Sequence, residues 1–111
     1  MSDDIFNAIY NKSLDLLSRR EHSSKEIREK LLLRFDDKVI INSVITKLEE
    51  NNLINDTRFA EAYVSSRKRK GFGPKKISFE LLSKGVSESV ANRIIDEEGG
   101  WKRAAKLAFT K

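Results

Sequence analysis

The chain has 111 residues, 39% of them hydrophobic and 35% charged, with one proline, five glycines and no cysteine. That length excludes a large two-lobed enzyme, and the lack of cysteine excludes a disulfide framework, a thiolate metal site and a thiol nucleophile. Residues 1–56 hold 9 Lys/Arg against 11 Asp/Glu and residues 57–111 hold 13 against 6, so a half of net −2 is joined to a half of net +7. The basic half fits a polyanionic partner as well as it fits a basic protein with none. No run approaches the ~18 apolar residues of a membrane span, and the acidic start Ser2-Asp3-Asp4 is unlike a secretory signal. A reducing, cytoplasmic setting is expected.

Helical spacing dominates the chain in order. Ile5, Ile9, Leu14, Leu16 and Leu17 predict a first helix with one apolar stripe. Ser23-x-x-Glu26 reads as a capping box, the serine oxygen accepting from a first-turn amide and the glutamate reaching back. It opens a helix bearing Ile27, Leu31 and Leu32. Asp36-Asp37 can open the next, whose stripe is Ile40, Val44, Ile45 and Leu48. Asn55-Asp56 can cap a helix bearing Phe59, Ala60, Tyr63 and Val64; Gly71-Phe72-Gly73 breaks this helix, and Pro74 suits the first turn of another. Ile77, Leu81 and Leu82 line that helix up to Gly85. Ser87 opens a sixth with Val90, Ile94 and Ile95, ended by Gly99-Gly100. Trp101 to Lys111 carries Ala104, Ala105, Ala108 and Phe109 at helical spacing.

The order repeats. Ser18-Arg19-Arg20 matches Ser66-Arg67-Lys68 at an offset of 48, whereas Ile27, Leu31 and Leu32 match Ile77, Leu81 and Leu82 at 50. Ile40, Val44 and Ile45 match Val90, Ile94 and Ile95, also at 50. The expected fold is therefore all-α, tandem three-helix repeats forming an elongated, curved stack. Residues 1–54 are the first repeat, 55–99 the second, and 100–111 the first helix of an incomplete third, through which Trp101 and Phe109 could pair with another chain.

Catalysis, metal binding and cofactor binding are not expected. The lone histidine, His22, lies among Arg20, Glu21 and Ser23 and reads as a solvated turn residue. Asp36-Asp37 and Glu49-Glu50 are adjacent acids, which diverge by about 100° on a helix. Asp96-Glu97-Glu98 sits at a helix C-terminus, where the dipole disfavours acids, and reads as a surface feature before a partner contact. The sharpest feature is basic: Arg67, Lys68, Arg69, Lys70, Lys75 and Lys76 place six cations in ten residues across a helix end and the next helix start. Such a segment suits phosphate or another anion. Phe72 reads first as packed under the loop and second as a base-stacking ring. Gly71-x-Gly73 is no dinucleotide fingerprint, since it follows a helix and lacks the third glycine.

Three segments resemble the RecX family of recombination regulators. They are Ser18-Arg19-Arg20-Glu21-His22-Ser23-Ser24-Lys25-Glu26-Ile27 with Lys30-Leu31, Leu53-Ile54-Asn55-Asp56-Thr57-Arg58-Phe59-Ala60-Glu61-Ala62-Tyr63-Val64, and Gly71-Phe72-Gly73-Pro74-Lys75-Lys76-Ile77 with Leu81 and Lys84-Gly85-Val86. The departures are mild: His22 where tyrosine is common, Ile27 where leucine is usual, Leu53-Ile54 where Gly-Tyr is frequent. The resemblance implies tandem three-helix repeats, usually three, and a non-enzymatic protein. It also implies binding to the RecA recombinase in the groove of its filament on single-stranded DNA, which blocks filament growth and lowers ATP hydrolysis and strand exchange. On this reading the chain is a monomer that meets DNA through the filament and no membrane. Arg67, Lys68, Arg69, Lys70, Lys75 and Lys76 make the phosphate or partner contacts, Arg19 and Arg20 form a weaker matching site, and Asp56, Phe59 and Ile77 are structural. The alternative is a helical nucleic-acid-binding module with no recombinase partner.

Overall fold

A computed structural model describes residues 2–101, Ser2 by its backbone alone. The expectations for Ala104, Ala105, Ala108, Phe109 and an incomplete third repeat lie outside the described residues. Within them stand six α-helices and no strand: α1 (Ser2–Arg19), α2 (Ser24–Leu32), α3 (Lys38–Glu50), α4 (Asp56–Arg69), α5 (Pro74–Ser83) and α6 (Glu88–Glu98). They divide into two compact units, one ending at Asp56 and the other beginning at Thr57.

Each unit closes on its own core. In the first, Ile9 and Leu16 of α1 meet Ile27 and Leu31 of α2 and Ile41, Val44, Ile45 and Leu48 of α3. In the second, Phe59, Ala60 and Val64 of α4 meet Ile77 and Leu81 of α5 and Ala91, Ile94 and Ile95 of α6. Burying each large aliphatic side chain is worth roughly 1.5–3 kcal/mol, so these stripes hold the units shut. The internal match is visible in burial. Ile27 and Ile77, Leu31 and Leu81, Val44 and Ile94, and Ile45 and Ile95 are all buried; Ile40 and Val90 are half-buried. Leu32 and Leu82, expected to line the helices, are exposed in both units.

The first helix departs from its expected stripe. Leu14 lies about 140° around the helix from Ile9 and is exposed, as is Ile5 near the chain start. The buried face runs instead through Ile9, Ser13 and Leu16, and the Ser13 hydroxyl is satisfied by donating to the Ile9 carbonyl at 2.8 Å.

The helix ends follow the expected chemistry. Ser23 Oγ accepts from the Glu26 amide at 3.1 Å and Glu26 accepts from the Ser23 amide at 3.1 Å, completing the capping box. Asp37 and Ser87 cap α3 and α6 by accepting from the Ile40 and Val90 amides. The Asp56 carboxylate accepts from the Ser24 amide at 2.9 Å, placing a negative group at the positive end of α2. Asp56, Phe59 and Ile77 are thus structural, the latter two buried.

Candidate functional site

The basic segment occupies the end of α4, its turn and the first turn of α5. The turn is a Schellman motif: Gly71 N donates to the Lys68 carbonyl at 2.9 Å and Phe72 N to the Arg67 carbonyl at 3.2 Å. Gly71 supplies the left-handed conformation this requires, with φ +92°. Gly73 then caps α5 with no side-chain hydrogen bond, and Pro74 follows in its first turn.

Arg67, Lys68, Arg69, Lys70, Lys75 and Lys76 separate into two sets. Arg67 is turned into the unit: its Nε and a terminal nitrogen donate to the two Glu80 oxygens at 3.1 and 3.0 Å, and Tyr63 Oη donates to Glu80 at 2.9 Å. Desolvation pushes the Glu80 carboxyl up, but the hydrogen bonds from Arg67 and Tyr63, with the charges of Arg67 and Lys76, outweigh it and hold its pKa below the usual carboxylate range. Lys68 donates to the Gly99 carbonyl at 2.7 Å and lies 5.4 Å from the Trp101 ring centroid. These two cations brace the unit. Arg69, Lys70, Lys75 and Lys76 are exposed. Arg19 and Arg20 are exposed too, each beside a carboxylate, Asp15 at 3.2 Å and Glu26 at 3.1 Å.

Phe72 packs against the second core, with the Arg67 guanidinium 3.8 Å from its ring centroid and Lys76 Nζ at 5.6 Å. It is the packed ring, its face already taken by a cation. Trp101 is half-buried against the same core, its indole N–H donating to the Ile95 carbonyl at 2.7 Å.

His22 corrects the sequence reading. It is 2% exposed, not solvated. Its Nδ1 lies 3.0 Å from the Arg20 carbonyl, which can only accept, so the ring proton sits there. Nε2 is then the acceptor for Lys30 Nζ at 2.8 Å. Burial lowers the His22 pKa; the Arg20 carbonyl opposes this, and the Arg20 and Lys30 charges add to it against Glu26. Lys30 is an exposed residue, but partial desolvation of its ammonium, with Arg20 nearby, lowers its pKa.

Among the described residues no three His, Cys, Asp or Glu side chains group as a metal site would need, and no helix is long and apolar enough to cross a membrane. A cavity of about 230 Å³ opens between α4 and α6, lined by Glu61, Val64, Ile94, Glu97 and Glu98. It falls below the size usual for a small-molecule site, and Glu97 is already beside Arg93 at 3.5 Å.

What fold and surface define is a protein of tandem three-helix units, the second presenting a basic helix-to-helix edge. Residues 10–48 match the family profile described as RecX, first three-helix domain, and residues 55–94 match RecX, second three-helix domain. The chain belongs to the RecX family. It is 37% identical over 100 residues to a regulatory protein RecX of Halorhodospira halophila, covering 89% of this chain and 62% of that one. Against a regulatory protein RecX of Serratia proteamaculans it is 32% identical, covering 90% and 73% respectively. The crystal structure of RecX from Lactobacillus salivarius aligns with a TM-score of 0.80 at 31% identity, over 89% of this chain and 64% of that one. Relatives from Halorhodospira halophila and Pseudomonas syringae are spanned over only 62% and 59% of their lengths.

Proposed function

We propose that the chain is a negative modulator of the RecA recombinase, acting in the cytoplasm by binding the recombinase filament on single-stranded DNA and limiting its growth. ATP hydrolysis and strand exchange, and with them recombinational repair and the SOS response, fall as a consequence. The protein makes and breaks no covalent bond. Family membership supports the reading, and the single structural observation that carries it is the exposed quartet Arg69, Lys70, Lys75 and Lys76 on the basic unit. The quartet grips phosphate or an acidic protein surface, and such a grip weakens with salt. Arg67 and Lys68 hold the edge in shape, and Arg19 and Arg20 form the weaker counterpart in the first unit.

Charge reversal tests this. Converting Arg69, Lys70, Lys75 and Lys76 to Glu is expected to weaken inhibition of RecA about tenfold or more and flatten its salt dependence, with the circular dichroism spectrum unchanged. Arg67 stays untouched because its loss would strip Glu80 of its partner and confuse binding with stability. Inhibition equal to the parent's would remove this edge from the mechanism. Equal suppression of unrelated DNA-dependent ATPases would instead favour a DNA-binding module without a recombinase partner.

A further inference from the structure

The two units ask the same of α2 and α5. Ile27 and Leu31 fill the first core as Ile77 and Leu81 fill the second, at the same offset of 50. On the outer face the two helices differ at one position of three. Where α2 carries Lys25, Glu29 and Leu32, α5 carries Lys75, Phe79 and Leu82. Residues four and seven positions apart share a helix face, so these three make one stripe. Phe79 is 73% exposed and Leu82 43%. A glutamate serves the first unit where the second has a phenyl ring, so folding does not require an aromatic there. A ring this open adds little to its own core and leaves apolar surface in water.

We infer that Lys75, Phe79 and Leu82 are the anchors by which α5 seats in an apolar pocket with an acidic rim on the recombinase; this rests on the function proposed above. The sign of the rim follows from charge complementarity. Lys75 and Lys76 flank the ring on its N-terminal side, and Arg69 and Lys70 stand at the end of the preceding helix, all four exposed. Protein is favoured over nucleic acid by Leu82. It carries the apolar stripe a further turn away from those lysines, where a phosphodiester needs a cation and a base needs a flat ring. Leucine offers neither. A protein pocket accepts both residues, as an amphipathic helix laid in a groove presents anchors three and four positions apart.

The test installs in α5 the residue that α2 already bears. Phe79→Glu keeps parental helicity, because Glu29 is tolerated at the matching position. Its binding to RecA filaments on single-stranded DNA weakens about tenfold or more, the scale of losing an aromatic anchor, while the uncharged Phe79→Ala, which leaves the field of Lys75 and Lys76 intact, binds bare single-stranded DNA as the parent does. Phe79→Leu keeps most of the affinity, and Phe79→Ala carries the test should the charged variant unfold. Parental filament affinity in both Phe79→Glu and Phe79→Ala overturns the inference and leaves the inhibitory function standing. A parent chain that does not bind RecA overturns both. Weakened binding of Phe79→Ala to bare DNA would make α5 a nucleic-acid surface, and a parental dimer dissolved by Phe79→Glu would make it a self-interface; either overturns the pocket.

Discussion

His22 is a buried base held between a carbonyl and a cation. With Nδ1–H committed to Arg20 and Nε2 2.8 Å from Lys30, a second ring proton would be driven against an ammonium group. Arg20 and Lys30 face the ring with positive charge and Glu26 with negative charge. The folded pKa lies below the ordinary 6.5, so the unfolded chain binds more protons as the pH falls through that value. Stability contributed by neutral His22 is therefore present above about pH 6.5 and drains away below it. Urea unfolding followed by circular dichroism is expected to show stability falling from about pH 7.5 to 5.5, and His22→Gln is expected to flatten that slope. Equal slopes in the two proteins would contradict the assignment. Burial of this ring was hard to read because every near neighbour in sequence is polar. The signal lay in its position: it directly precedes the N-cap Ser23, where the entering chain turns an apolar group inward. Arg67 was misleading for the opposite reason. Its neighbours Lys68, Arg69 and Lys70 suggest a uniform patch, yet helical geometry turns it toward Glu80, thirteen residues away, which no local pattern reveals.

At the scale of elements, the helix ends are the most legible part of the molecule. Ser23, Asp37 and Ser87 act as caps because short oxygen-bearing side chains reach first-turn amides. The C-terminal ends of α3, α4 and α5 share one solution. Residues Asn52, Gly71 and Gly85 take positive φ, and the amide after each returns to the carbonyl five residues back, at Leu48, Arg67 and Leu81. Asn52 shows that glycine is not the sole signal for such a turn. Gly71 offers a clean measure of its worth, since a Cβ there would meet nothing within 4 Å. Gly71→Ala should destabilise the second unit by about 1–2 kcal/mol through backbone strain alone. The single tryptophan, Trp101, packs in that unit, so its fluorescence reports the transition. An unchanged midpoint would mean that the turn relaxes to another conformation at no cost. The apolar stripes were legible to within a residue. Leu32 and Leu82 were misplaced because an apolar residue at helical spacing signals a face without saying whether anything covers it.

Over the whole chain, duplication is the organising fact. An offset of 50 recovers matching buried positions in both units, while charge and exposed apolar surface differ between them. The shared positions satisfy packing, which is why the fold could be read from spacing. The differing ones, Arg69, Lys70, Lys75, Lys76 and Phe79, lie outside the cores and carry the functional proposal. Their role could not be read from periodicity, because a partner's shape leaves no period in the chain. The most direct test is the single-stranded-DNA-dependent ATPase of RecA titrated with this chain. A dose-dependent fall beginning well below one chain per recombinase subunit is expected, as for a protein that stops filament growth. Hydrolysis unchanged at equimolar chain would contradict the account.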